Sequence, residues 1–136
     1  MKVNIIIGGF QKCGTTALHR FLSTHRMINS SNPKELDYFN YDVNFGKGET
    51  YYHSFFSRRG FFFYKKLNYL EASPSYLSDC NAKVTSERIH KYNNKMKIIV
   101  LVRNPIDRAF SAWQMYRKRY FSGDTEWWIN WMEKRS

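Results

Sequence analysis

Cysteine, proline and glycine are all scarce in this 136-residue chain, with 2, 3 and 7 copies respectively. So little glycine and proline excludes collagen-like and low-complexity classes. Two cysteines, Cys13 and Cys80, are too few for a disulfide framework, and no CxxC or Cys/His spacing suggests zinc. Free thiols in a reducing compartment are the expectation. Long apolar runs are missing as well: Val3 to Gly9 falls far short of the ~20 residues needed to span a bilayer and lacks the cleavage pattern of a secretory leader. The chain therefore reads as soluble and cytoplasmic, with no membrane partner. Acidic side chains are the last shortage, 11 Asp+Glu against 22 Lys+Arg, for a formal charge of +11.

What is present is apolar and aromatic. Hydrophobic residues make up 43% of the chain, and 11 Phe, 10 Tyr and 4 Trp give it a large burial payload, which argues against disorder. A chain of this length buries roughly two-thirds of its unfolded surface, enough for one core. No repeat, linker or boundary interrupts it, so residues 1–136 are expected to form a single domain. The positive excess suits a polyanionic ligand such as a nucleotide, a nucleic acid or a sulfated or carboxylated glycan. Composition alone leans slightly towards nucleic acid.

The β-branched run Val3 to Ile7 leads directly into GGFQKCGTT and then into the helical ALHRFLSTH, which reads as strand, glycine loop, helix. Leu18, Phe21, Leu22 and His25 fall on one expected stripe of that helix. Further strands are predicted over 67–71 and 97–102, the latter too continuously apolar for a half-exposed strand. Helices are predicted over 49–57, 82–92 and 105–120, the last opened by Asn104 as N-cap, Pro105 at N1 and Asp107 at N3. Its apolar positions Ile106, Ala109, Phe110, Trp113 and Tyr116 keep helical spacing. Residues 29–48 read as a loop over the active face, and 124–136, with three Trp, as a short helix. Buried strands alternating with helices predict an α/β fold, a P-loop-like three-layer domain with a mainly parallel central sheet.

Gly9-Phe-Gln-Lys-Cys-Gly14-Thr15-Thr16 has the GxxxxG frame of a phosphate loop, in which backbone N–H groups and a helix N-terminus form an oxyanion site. A nucleoside-triphosphate loop carries Lys directly after the second Gly. Here Thr15 stands in that place and the lysine is Lys12, so the loop suits a 5′-phosphate better than ATP. Arg103-Asn-Pro-Ile-Asp-Arg-Ala-Phe-Ser111 follows the last predicted strand. An arginine at a strand's carboxyl end lies where open α/β sheets put ligands, and its planar fork suits phosphate. Ser111 shares a face with that helix start. Taken singly, Arg103 reads equally as a surface ion-pair member and Ser111 as a solvated helix position.

Together and in this order, the two motifs resemble the 5′-phosphosulfate loop and the 3′-phosphate site of sulfotransferases that use 3′-phosphoadenosine 5′-phosphosulfate (PAPS). Pro33-Lys-Glu-Leu-Asp-Tyr-Phe39 is similar to the KExxxFF-type segment of the heparan sulfate and bacterial carbohydrate members, and Leu70-Glu-Ala-Ser-Pro-Ser-Tyr76 to their EKTPxYF segment. The resemblance implies cofactor contacts from Lys12, Cys13, Gly14, Thr15, Thr16, Ala17, Arg103 and Ser111. It further implies Glu35 as general base on an acceptor hydroxyl and Lys12 as catalytic cation, without a metal. Phenol- and steroid-directed members use a histidine as base, and His19, His25, His53 and His90 lack a matching context. Where the glycan enzymes carry a lysine, this chain has Ala72, which leaves Ser73 as an acceptor contact. Asp37 replaces their histidine, so acceptor contacts should differ.

The motifs reverse the leaning of the composition. The expected donor is PAPS, with adenosine 3′,5′-bisphosphate as product. The expected partner is a hydroxyl acceptor, a glycan first among the candidates, with no nucleic acid; a homo-oligomer stays open. Members of the family continue to a Gly-rich basic loop for which no counterpart follows Trp113. The chain therefore reads as a truncated or minimal member, or one whose site another chain completes. The alternative function is a catalytically degenerate nucleotide- or polyanion-binding module. A kinase is disfavoured by the displaced lysine.

Overall fold

The computed structural model describes residues 1–57, 67–78 and 81–123. Cys80 and the three tail tryptophans lie outside these, as does the helix expected over 124–136. The chain divides into two units, Met1–Val102 and Arg103–Ser136, and each is described by itself.

In the first unit, β1 (Ile5–Gly9) leads to α1 (Thr15–Ser23) and β2 (Ile28–Ser30). The short helices α2 (Asp42–Phe45) and α3 (Gly48–His53) follow. β3 (Asn68–Ala72), α4 (Ser75–Ser78), α5 (Ala82–Tyr92) and β4 (Lys97–Leu101) complete it. The described strands form one sheet in the order β2-β3-β1-β4. All three pairings are parallel, with Ile6 opposite both Glu71 and Ile98. Parallel pairing needs crossover connections, so the helices lie on the sheet faces.

The central strands are buried on both faces, and each face has its own apolar cluster. On one, Leu18 and Leu22 of α1 pack on Ile7, Leu70 and Ala72. On the other, Val3 and Ile6 join Tyr38, Phe39, Tyr52, Phe56, Tyr76, Ile89 and Tyr92. Tyr38 stacks on Tyr52 with centroids 4.2 Å apart, and Phe39 meets Tyr52 and Tyr76 edge-on. Helix, sheet and aromatic layer together make the three-layer α/β arrangement the sequence predicts.

Several local expectations are corrected. The face that α1 turns to the sheet is Thr15, Leu18, His19 and Leu22, while Phe21 is 73% exposed and His25 is exposed too. Apolar spacing chose a neighbouring stripe because the burial of His19 was not visible to it. Among the described strands β4 lies at the edge of the sheet, and Ile98 and Val100 are 47% and 49% exposed on one of its faces. Its unbroken apolarity therefore does not reflect burial on both sides. Segment 29–48 is more than a surface loop: it begins in β2, which adds the outer strand beside β3, and it supplies Tyr38 and Phe39 to the core. Arg88 of α5 holds this segment by donating to the Phe39 carbonyl at 3.1 Å, pairing with Asp42 and lying over the Phe45 ring.

In the second unit, α6 (Pro105–Phe121) starts as expected, with Asn104 Oδ1 accepting from the Ile106 and Asp107 amides. No side chain of α6 is buried, and Phe110 and Trp113 stack on each other at 5.8 Å. Among the described residues no helix is long and apolar enough to cross a membrane.

Candidate donor and acceptor site

The carboxyl ends of parallel strands share one edge of the sheet, the place where ligands sit in open α/β folds. β1 reaches this edge as Gly8-Gly9, two residues beyond the predicted end of the strand. Gly9 has φ +116°, and a Cβ there would lie 2.8 Å from the Leu101 amide nitrogen and 2.9 Å from its carbonyl oxygen. Only glycine lets β1 run this close to β4 and turn out of the sheet. The loop then closes through a Cys13 N–H to Phe10 C=O bond of 3.2 Å.

Lys12 and Gly14 both take left-handed conformations, with φ of 69° and 90°. Lysine rarely does so, which marks a turn shaped by its surroundings rather than by local preference. Gly14 caps α1 without a side-chain cap bond, and no acidic residue occupies the first turn. The leading N–H groups of α1 therefore point to a partner outside the helix, and the macrodipole favours an anionic one. Thr15 is buried behind the loop, Cys13 is a half-buried free thiol, and Thr16 and Ala17 are exposed. This donor set fits the phosphate end of a nucleotide.

Glu35 stands beside this corner, its side chain 51% exposed. The sequence reasoning missed what holds it there: Lys34 Nζ pairs with the Glu35 carboxylate and lies 3.5 Å from Thr15 Oγ1. One ammonium thus links the glycine loop to the carboxylate. The only advance signal was a basic residue directly before Glu35. Asp37 is half-buried with φ 48°, and its carboxylate accepts from Ser75 Oγ.

Ser73 lies inside the fold. It is fully buried, accepts from the Leu36 and Asp37 amides at 3.2 and 3.1 Å, and donates to Glu71 at 2.7 Å. Its hydroxyl is thus engaged within the fold, beneath the backbone of Leu36 and Asp37. Ala72, where the glycan enzymes have lysine, is also fully buried, in the layer against α1.

His19 sits under the same helix start, its Nε2 buried without a hydrogen-bond partner. Burial, reinforced by the Lys34 charge, lowers its pKa below the ordinary imidazole value. A groove of about 1010 Å³ runs along α1 towards β2, lined among others by Thr16, His19, Arg20, Arg26 and Lys34. In the second unit, exposed Arg103 precedes the capped start of α6, and half-buried Ser111 lies within that helix. Among the described residues no group of three or more His, Cys, Asp or Glu is placed to hold a metal ion.

A parallel sheet whose first strand turns through glycines into an anion-ready helix start defines a P-loop-like α/β domain. The sulfotransferase domain family matches residues 2–135. Heparan sulfate glucosamine 3-O-sulfotransferase 5 of Homo sapiens is 34% identical over 106 residues, covering 78% of this chain and 28% of that protein. Bifunctional heparan sulfate N-deacetylase/N-sulfotransferase 1 of Xenopus laevis is 32% identical over 123 residues, covering 83% of this chain and 13% of its own length. The crystal structure of a sulfotransferase from Alicyclobacillus acidocaldarius matches with a TM-score of 0.70 at 28% identity, over 88% of this chain and 52% of that one. The chain belongs to the sulfotransferase family. It spans less than a third of the length of either curated relative.

Proposed function

We propose that this chain carries the donor-binding and base-bearing part of a PAPS-dependent sulfotransferase acting on a hydroxyl acceptor, with a carbohydrate as the favoured acceptor. The observation that carries this reading is the placement of Lys34 between Thr15 of the glycine loop and the exposed carboxylate of Glu35. It sets an anion-binding turn beside a proton acceptor, the two functions that sulfuryl transfer requires.

When bound, PAPS supplies the sulfuryl group. The residues of this chain do the rest. The N–H groups opening α1 would hold the 5′-phosphate oxygens, and Lys12 would offset negative charge there. Glu35 takes the proton of the acceptor hydroxyl as the new S–O bond forms. Lys34 pairs with that carboxylate and holds it towards the loop. Arg103 and Ser111 are assigned to the 3′-phosphate. The basic groove along α1 suits an acceptor bearing carboxylate or sulfate groups, which supports an acidic saccharide over a neutral phenol or steroid. We assign the chain to a reducing, cytoplasmic setting on the composition alone.

The second reading, a binding module without turnover, is favoured by Ala72 in place of the family lysine. A thermal-shift panel of PAPS, adenosine 3′,5′-bisphosphate, ATP and an RNA oligomer separates the two classes. Stabilisation by PAPS and the bisphosphate but not by ATP supports the donor site. Stabilisation by RNA alone overturns it in favour of the module.

A further inference from the structure

The fully buried carboxylate of Glu71, the fourth residue of β3, belongs to neither the glycine loop nor the segment 29–48. An ion-forming group in such a place is costly unless it is hydrogen-bonded. Three hydroxyls serve it. Ser73 and Tyr76 both donate to Oε1 at 2.7 Å, and Tyr52 donates to Oε2. Burial raises the carboxyl pKa, and the three hydroxyl donors offset part of that rise.

Each hydroxyl has one proton to give, and Glu71 takes it. The lone pairs of Ser73 Oγ and Tyr76 Oη are thereby left to accept. Ser73 Oγ receives the Leu36 and Asp37 amides at 3.2 and 3.1 Å, and Tyr76 Oη receives the Tyr38 and Phe39 amides at 2.9 and 3.4 Å. These are consecutive backbone donors, and they begin at the residue directly after Glu35. The segment they fix includes Asp37 in a left-handed conformation, which the surrounding bonds must impose. The Asn44 side-chain amide closes the other side by donating to the Leu36 and Asp37 carbonyls at 3.4 and 3.1 Å.

We propose that Glu71 is a positioning residue for the transfer reaction: by orienting the Ser73 and Tyr76 hydroxyls as acceptors, it holds residues 36–39 in the one conformation that presents Glu35 beside the glycine loop. This rests on the assignment of Glu35 as base. Glu71 touches neither donor nor acceptor, so it governs how often Glu35 is in place and not how tightly the donor binds. Glutamine at 71 keeps an oxygen for both hydroxyls, whereas leucine fills a similar volume and leaves both protons without a taker.

Hydrogen exchange and steady-state kinetics on the full chain test this. In Glu71→Leu the amides of residues 36–39 lose protection by about tenfold or more while those of β1 keep theirs. In the same variant kcat falls on the order of a hundredfold, with KM for PAPS and the dissociation constant of adenosine 3′,5′-bisphosphate unchanged. Glu71→Gln restores kcat and protection to within about threefold of the parent. Where Glu71→Leu fails to fold, Tyr76→Phe takes its place: it releases the Tyr38 and Phe39 amides and leaves Leu36 and Asp37 protected. Unchanged protection at 36–39 overturns the proposal, as does loss of protection spread evenly over β1. Bisphosphate affinity falling in step with kcat also overturns it. Failure of the parent to bind bisphosphate is a separate result that strikes the donor-site reading, and the exchange pattern still decides the role of Glu71.

Discussion

Replacing Gly9 and Gly14 by alanine, one at a time, separates backbone strain from steric exclusion at the glycine loop. Both residues have positive φ, 116° and 90°. Either alanine therefore carries the conformational penalty of an L-residue in that region, about 1–3 kcal/mol. The surroundings differ. The new Cβ at position 14 meets nothing within 4 Å, whereas at position 9 it meets Leu101 backbone atoms at 2.8 and 2.9 Å. Those atoms belong to a strand paired with β1 from Ile5 to Gly9 and cannot move aside without breaking register. Overpacking of this kind adds a further ~1–3 kcal/mol. Gly14→Ala should therefore cost about 1–3 kcal/mol and Gly9→Ala about 2–6 kcal/mol in urea denaturation. Gly9→Ala should also weaken bisphosphate binding, because displacing β1 from β4 moves the loop that follows. Equal destabilisation by the two substitutions would refute the claim that Gly9 is required by the close approach of β4.

Two further predictions concern side chains. Glu35→Gln should keep the bisphosphate affinity of the parent, since the carboxylate is assigned to the acceptor, while transfer measured with labelled PAPS falls on the order of a hundredfold, within the range for loss of a general base; undiminished transfer removes Glu35 from that role. His19 has a folded pKa below its unfolded value near 6.5, chiefly through burial. Below pH 6.5 the unfolded chain therefore binds a proton that the folded chain does not, and stability falls as pH drops, by at most about 1.4 kcal/mol per pH unit. His53 shifts the same way. Between pH 7.5 and 5.5 the melting temperature of the parent should fall more steeply than that of His19→Leu. Parallel curves would contradict the assignment of a buried neutral imidazole.

Local chemistry was legible in the sequence wherever it determined the structure. Asn104-Pro105 opens α6 because a side-chain acceptor and a preset φ act within one turn. The glycine loop follows a β-branched run for the same reason. What escaped the sequence depends on distant neighbours. β4 is as apolar as a central strand, yet the order of the described strands places it at an edge. Phe21 fits the α1 stripe by spacing, yet the sheet received Thr15 and His19 instead. Within the candidate site, Lys12 and Gly14 were proposed from the spacing of the glycine loop and Glu35 from the family resemblance, whereas Lys34 was passed over. The partners of Ser73 and Glu71 were not visible because they come from distant positions, the Leu36 and Asp37 amides for Ser73 and the Tyr52 and Tyr76 hydroxyls of α3 and α4 for Glu71. A single Glu between Leu70 and Ala72 in a buried strand was the available sign that something polar lay opposite.

The glycine loop also changes how the charge of +11 is understood. In the first unit Lys12 and Lys34 lie at the start of α1, and in the second Arg103 and Arg108 lie at the start of α6, so part of the excess is local to each helix start. The Arg117-Lys118-Arg119 run lies in the last turns of α6, where cations complement the helix dipole.

The central claim is the proposal that this chain binds a PAPS-type donor, with Lys12 and Arg103 each contributing to that binding. Calorimetric titration of adenosine 3′,5′-bisphosphate into the parent, Lys12→Ala and Arg103→Ala tests it most directly. Binding by the parent and its loss in both variants is the predicted result. Affinity like that of the parent in both variants would contradict the claim.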